Sequence, residues 1–216
     1  VDLPSFWLPR PSFNPDGKTL AGFASLLSDA VTQGPDKPIT YTLAAPKWQF
    51  LCYVAEQAGY VLHGSNDPSI ERFDPRRSYD SDAFGDRTAV YAASDGIWPM
   101  FFATINRDHP LSMVNSCSDL AGETYYYFSI SRHVLDLNPW REGTVYLLPA
   151  EGFEHQPPIR GVRQRQAAKL APVEPAAKIR VSPEEFPFLS RVRGHDDATI
   201  RSRSEADPDG FPWIDG

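Results

Sequence analysis

Tyr60-Val61-Leu62-His63-Gly64-Ser65 is the stretch on which the fold is read. Its apolar, β-branched start predicts a strand, and the His-Gly-Ser step ends that strand in a polar turn. Further along, Thr88-Ala89-Val90-Tyr91-Ala92-Ala93 predicts a second strand with one tyrosine inside an apolar run. Gly64 has no Cβ, so a ligand can approach the backbone there closely. Paired side by side, the two strands are expected to offer His63 and Tyr91 to a shared cleft suited to a flat heteroaromatic ring.

Between them, residues 66–87 form a polar, turn-rich segment of a length more typical of a binding loop than of a linker. Its Arg72, Arg76 and Arg77 have planar guanidinium forks that match phosphate. With Asp74, Asp80 and Asp82 nearby, the same arginines also read as a solvated surface worth little energetically. Upstream, helical spacing covers 19–32, and Ile39 to Leu43 alternates like a short strand. A clearer helix runs from Pro46 to Gln57, with Trp48, Leu51, Cys52 and Ala55 on one face. Downstream, 96–106 predicts a helix with Pro99 in its first turn and Phe101, Phe102 and Ile105 on its buried side. Strands are expected over 124–130, 144–148 and 178–181, while 164–170 is open between strand and loop.

Strands outnumber helices, so the expected class is α+β with mostly antiparallel pairing. Residues 1–18 read as a proline- and aromatic-rich arm that packs down, 19–189 as the folded domain, and 190–216 as a charged tail, flexible or ordered only against a partner. Twenty-one prolines in 216 residues argue against long helices. A net charge of −7 argues against broad binding of a phosphate backbone. Two cysteines and dispersed histidines form no zinc spacing, so no metal is expected. No Gly-x-Ser-x-Gly elbow occurs. No apolar run reaches the roughly 18–20 residues that span a bilayer, so no membrane partner and a cytoplasmic location are expected.

In their order, these residues resemble the His-Tyr-Glu type of ADP-ribosyltransferase domain. Val61-Leu62-His63-Gly64-Ser65 is similar to that family's first motif. Ala89-Val90-Tyr91-Ala92-Ala93-Ser94 is similar to its second, with Ala in place of the usual Phe. Phe102, on the following helix, stands where the family carries a stacking aromatic. The resemblance spans about residues 40–181 and implies a split, mostly antiparallel β core with flanking helices. NAD is then the implied substrate, cleaved at its nicotinamide–ribose bond, with ADP-ribose passed to water or to a protein or nucleic-acid acceptor. His63 would anchor the ribose hydroxyl. Gly64 would meet the carboxamide through its backbone, Tyr91 and Phe102 the nicotinamide ring, and Arg76 or Arg77 the diphosphate, with Ser65 also among the NAD-binding residues.

The third motif calls for a glutamate at the start of a late strand. Gln164-Arg165-Gln166 stands there instead, with Gln166 in the glutamate's place; Glu151, Glu154 and Glu174 fit less well. A neutral amide can bond a hydroxyl but cannot stabilise developing positive charge as a carboxylate does. The alternative is therefore a catalytically silent module of the same fold that binds a nucleotide or protein partner.

Overall fold

The computed structural model describes residues 3–78, 80, 82–208 and 210–213. In chain order the elements are β1 (Leu8–Pro9), α1 (Gly17–Gln33), α2 (Lys47–Gln57), β2 (Tyr60–Ser65), β3 (Arg76–Arg77), β4 (Thr88–Ala93), α3 (Trp98–Thr104), β5 (Met113–Leu120), β6 (Glu123–Ser131), α4 (Arg132–Leu135), β7 (Gly143–Pro149), β8 (Glu154–His155), β9 (Arg163–Gln164), β10 (Gln166–Lys169), β11 (Ala177–Val181), β12 (Arg193–His195) and α5 (Asp197–Ala206). The class is α+β, and every pairing among the described strands is antiparallel except β12 on β6.

One sheet runs β1-β6-β5-β9, with β12 sharing an edge of β6 with β1. The other runs β11-β7-β2-β4-β10-β8, and β3 pairs with the end of β4 that β2 leaves uncovered. In this second sheet both faces are buried, which is why β7 reads Thr144-Val145-Tyr146-Leu147-Leu148 without polar alternation. Leu62, Ala93, Val145 and Leu147 face the main core with the first three helices. Val61, Val90, Ala92, Tyr146 and Leu148 face a smaller core closed by Phe73 and Val173.

Helix α1 starts at Asp16, whose carboxylate accepts the Thr19 N–H at 2.7 Å, and packs Phe23 against Phe50 of α2. Helix α3 starts where the buried Asp95 carboxylate accepts the Ile97 and Trp98 N–H groups at 2.8 and 2.7 Å, with Pro99 in its first turn as expected. It lies so close over β2 that a Cβ at Gly64 would sit 1.9 Å from the Pro99 carbonyl oxygen. A Cβ at Gly143 of β7 would meet the Ala103 carbonyl oxygen at 1.8 Å. These two glycines let helix and sheet touch backbone to backbone.

Three expectations change. Residues 39–43 form no strand; Ile39 instead donates one backbone bond to Lys178 at 2.7 Å. β5 is absent from the sequence reading because Asn115, Ser116, Ser118 and Asp119 mask its period, yet Ser116 and Ser118 are buried. The charged tail is not flexible over its described part: β12 and α5 build it onto β6, and Ile200 packs with Phe6, Val114 and Tyr127. The N-terminal arm does pack down, through β1 and the buried Phe6 and Leu8.

Gly64→Ala is expected to cost at least about 2 kcal/mol, since the added methyl overlaps α3 backbone that cannot move alone. Gly17→Ala, whose methyl meets nothing within 4 Å, should be neutral or stabilising by up to about 1 kcal/mol. Denaturant unfolding of the two variants checks the contrast, and equal stabilities would refute the close approach.

Candidate functional site

The pairing between β2 and β4 consists of one residue pair, Leu62 with Ala93. Beyond it the strands part, and β3 takes up the edge of β4 at Thr88 and Ala89. His63 stands at the fork. Its Nδ1 lies 2.7 Å from the Tyr91 carbonyl oxygen, so the imidazole takes the place of a missing ladder bond. A carbonyl can only accept, which fixes the proton on Nδ1 and leaves Nε2 with its lone pair. Among the described residues Nε2 has no hydrogen-bonding partner, and it is not among the fully buried unsatisfied atoms. It is therefore an unused acceptor.

The surroundings of His63 are aromatic and cationic. Phe73 packs against its ring at 4.8 Å. Burial lowers the His63 pKa; the bond to Tyr91 opposes this, and the charges of Arg107 and Arg76 reinforce it. Both guanidinium groups are thus close enough to be felt at the imidazole. Arg107 also lies over the Phe102 ring, 5.4 Å from its centroid. Desolvation lowers the Arg107 pKa, and no carboxylate offsets it. Neither Arg76 nor Arg107 has an ion-pair partner among the described residues. Two arginines without ion-pair partners among the described residues thus act on an imidazole that packs against an aromatic ring.

Several sequence expectations do not survive. The Leu62–Ala93 register puts Tyr91 on the α3 face and His63 on the opposite face, because side chains alternate along each strand. Tyr91 is moreover committed elsewhere: its hydroxyl accepts the Arg87 N–H at 2.9 Å and donates toward the carbonyls of Phe84 at 3.0 Å and Arg87 at 3.2 Å. It pins the 84–87 turn. Gly64 serves the helix contact described above. The Ser65 hydroxyl accepts the Asp67 N–H at 3.1 Å and shapes a turn.

The remaining candidates divide. Arg77 is tied to Asp86 at 2.7 Å in an exposed pair, so only Arg76 is placed to meet a ligand. Gln164 Oε1 accepts from Ser118 at 2.8 Å and Ser116 at 3.2 Å within the first sheet. Gln166 pairs with Ala93, on the face of Tyr91 and away from that of His63. Glu154 is bound to Arg87 at 3.1 Å. His63 is thus joined by Phe73 and by the charges of Arg76 and Arg107, while Phe102 lies on α3 against the main core, on the face opposite His63; Phe73 and Arg107 were missed by the sequence reading. The one signal for Arg107 was a lone cation shortly after the helix that carries Phe102.

A second constellation also escaped the sequence. His195 is 6% exposed, with Nδ1 2.6 Å from Ser129 Oγ and Nε2 2.6 Å from Ser112 Oγ. Asp197 accepts from Ser112 at 2.9 Å and from Ser131 at 2.6 Å. The residue types suggest a hydrolytic triad, but the geometry does not. Both imidazole nitrogens are taken by hydroxyls, and the carboxylate bonds the serines instead of orienting the ring. The network ties β12 and α5 to β6. Among the described residues, no group of three or more His, Cys, Asp or Glu is placed to hold a metal, and no helix is long and apolar enough to cross a membrane.

No protein-family model, no curated protein and no solved structure matches the chain.

Burial lowers the pKa of His195, as of His63, with Asp197 opposing it. Both groups favour the neutral form when folded, so the unfolded chain binds more protons once pH falls through about 6.5. Their stabilising effect is complete above that value and declines below it. Thermal melts from about pH 7.5 to 5 should show this decline, and His195→Gln should flatten it while lowering the melting temperature at neutral pH. An unchanged slope would remove His195 from the account.

Proposed function

We propose that the chain is an ADP-ribosyltransferase-like domain that binds NAD at the fork between β2 and β4, with binding built into the site and bond cleavage not. The observation that carries this reading is His63 itself: Nδ1 is held by a main-chain carbonyl, and Nε2 is an unused acceptor on an imidazole that feels the charges of Arg107 and Arg76. A ribose hydroxyl would donate to Nε2. Arg76 and Arg107 would meet the diphosphate.

Cleavage of the nicotinamide–ribose bond calls for a carboxylate close to the developing positive charge on the ribose. Gln166 is neutral and lies on the sheet face opposite His63. Tyr91 is spent on the 84–87 turn. These two features favour the silent module over the transferase.

Calorimetry with NAD, paired with chromatographic detection of free nicotinamide, tests the proposal. NAD should bind saturably, and His63→Ala and Arg107→Gln should each weaken binding at least about tenfold, the scale of a charge-assisted hydrogen bond. Nicotinamide should stay at the buffer rate. Absence of binding would sink the functional reading. Release that vanishes in His63→Ala would show an enzyme and overturn the silence.

A further inference from the structure

β12, α4 and α5 line an open cavity of about 600 Å³, a size that suits a small organic ligand. Its wall includes Arg132, Arg193, Arg203, Tyr127, His195 and Trp213. Three arginines meet here in a chain whose net charge is −7. Arg132 donates to the Gly194 carbonyl at 2.8 Å, and a Cβ at Gly194 would meet its guanidinium at 2.7 Å, so that group is laid flat along the strand. Arg203 donates to the Trp213 carbonyl at 3.1 Å, and the Trp213 indole Nε1 donates to the Asp207 carbonyl at 2.7 Å. Neither Arg132 nor Arg193 has an ion-pair partner among the described residues.

The floor of the cavity adds an independent sign of a ligand. Tyr127 is wholly buried, and its hydroxyl has only a poorly formed contact with Ser129, whose own hydroxyl bonds His195. A buried hydroxyl without a well-formed bond costs about 1–3 kcal/mol, a cost a ligand oxygen would remove. The charge of Arg193 is felt at the same hydroxyl. The N-terminus of the ten-residue helix α5 opens on the cavity, capped by Asp196, which accepts from Thr199. Asp196 is the carboxylate in the wall.

We infer that this cavity is a second binding site, for a small phosphomonoester with an aromatic body such as a mononucleotide. The phosphate bridges Arg132 and Arg193, Tyr127 donates its hydroxyl to a phosphate oxygen, and the ring lies against Trp213. Phosphate is favoured over carboxylate because two separate forks and a hydroxyl offer more donors than two carboxylate oxygens use well. The site does not depend on the reading of the His63 fork.

Titration calorimetry with adenosine 5′-monophosphate, inorganic phosphate and adenosine tests this on the full chain, with thermal melts confirming that each variant is folded. The monophosphate should bind saturably, phosphate more weakly and adenosine at least about tenfold more weakly than the monophosphate. The double variant Arg132→Gln/Arg193→Gln should lose at least about tenfold in affinity, and Tyr127→Phe, which keeps the ring and the packing, several-fold. His63→Ala with Arg107→Gln should leave this binding unchanged. No binding to the folded protein, binding unaffected by the double variant, or binding lost only in the His63 and Arg107 variant would each overturn the inference. The last outcome assigns the nucleotide to the β2–β4 fork.

Discussion

The two sheets are joined through one residue. Arg165 donates its N–H to the Cys117 carbonyl in one sheet at 2.9 Å, and its carbonyl accepts the Ser94 N–H of the other at 2.8 Å. Residues 163–169 therefore form a strand that leaves the first sheet as β9 and enters the second as β10. Such a crossing strands a polar side chain between layers, and here the guanidinium is met on all sides. Asp119 lies at 2.9 Å, Glu56 at 3.8 Å and the Thr124 hydroxyl at 3.2 Å, while Arg10 from the N-terminal arm bonds the same Glu56. A partly buried charge is tolerated when its partners and hydrogen bonds are this complete. The sequence reading treated Gln164-Arg165-Gln166 as a place to look for a missing glutamate. In the structure its central arginine is the joint of the fold.

Both sites are by-products of how sheet edges are shared. β2 and β3 occupy one edge of β4 and leave a gap opposite Val90–Ala92, into which the His63 ring turns toward a free carbonyl. β1 and β12 occupy one edge of β6, and α4 and α5 close over the end where β12 lies. At each place an interrupted ladder leaves polar groups that the backbone alone does not satisfy, and side chains or ligands must do so. The His195–serine–Asp197 network meets that need inside the second edge. The unused Nε2 of His63 and the poorly bonded Tyr127 hydroxyl leave it unmet.

The histidine reading and the tyrosine reading fared differently for a geometric reason. A His-Gly step at the end of an apolar run is a local signal, and the local outcome, a strand ending in a turn, is what forms. Whether His63 and Tyr91 share a face depends on register, and a shift of one residue exchanges the faces. No pattern within either strand specifies that Leu62 pairs with Ala93. The same holds for Arg107, whose relation to His63 arises from the length of α3 and the path of the loop after it, and for β5, whose polar residues face a neighbouring strand that no local period reveals.

By itself the sequence determined the α+β class, α1 through α3 to within a few residues, five of the strands and the packing of the N-terminal arm, because apolar periodicity, caps and prolines act over one element at a time. It also determined that His63 lies at a strand end with no side chain on Gly64 to shield it. Tertiary structure alone decided which faces meet, that Gly64 yields its space to α3 instead of to a ligand, that Tyr91 is spent on a turn, and that three arginines line one cavity with Tyr127. Those outcomes depend on register and on contacts between residues far apart in the chain, where charge, hydrogen bonding and packing are settled jointly by elements that carry no record of one another in their local sequence.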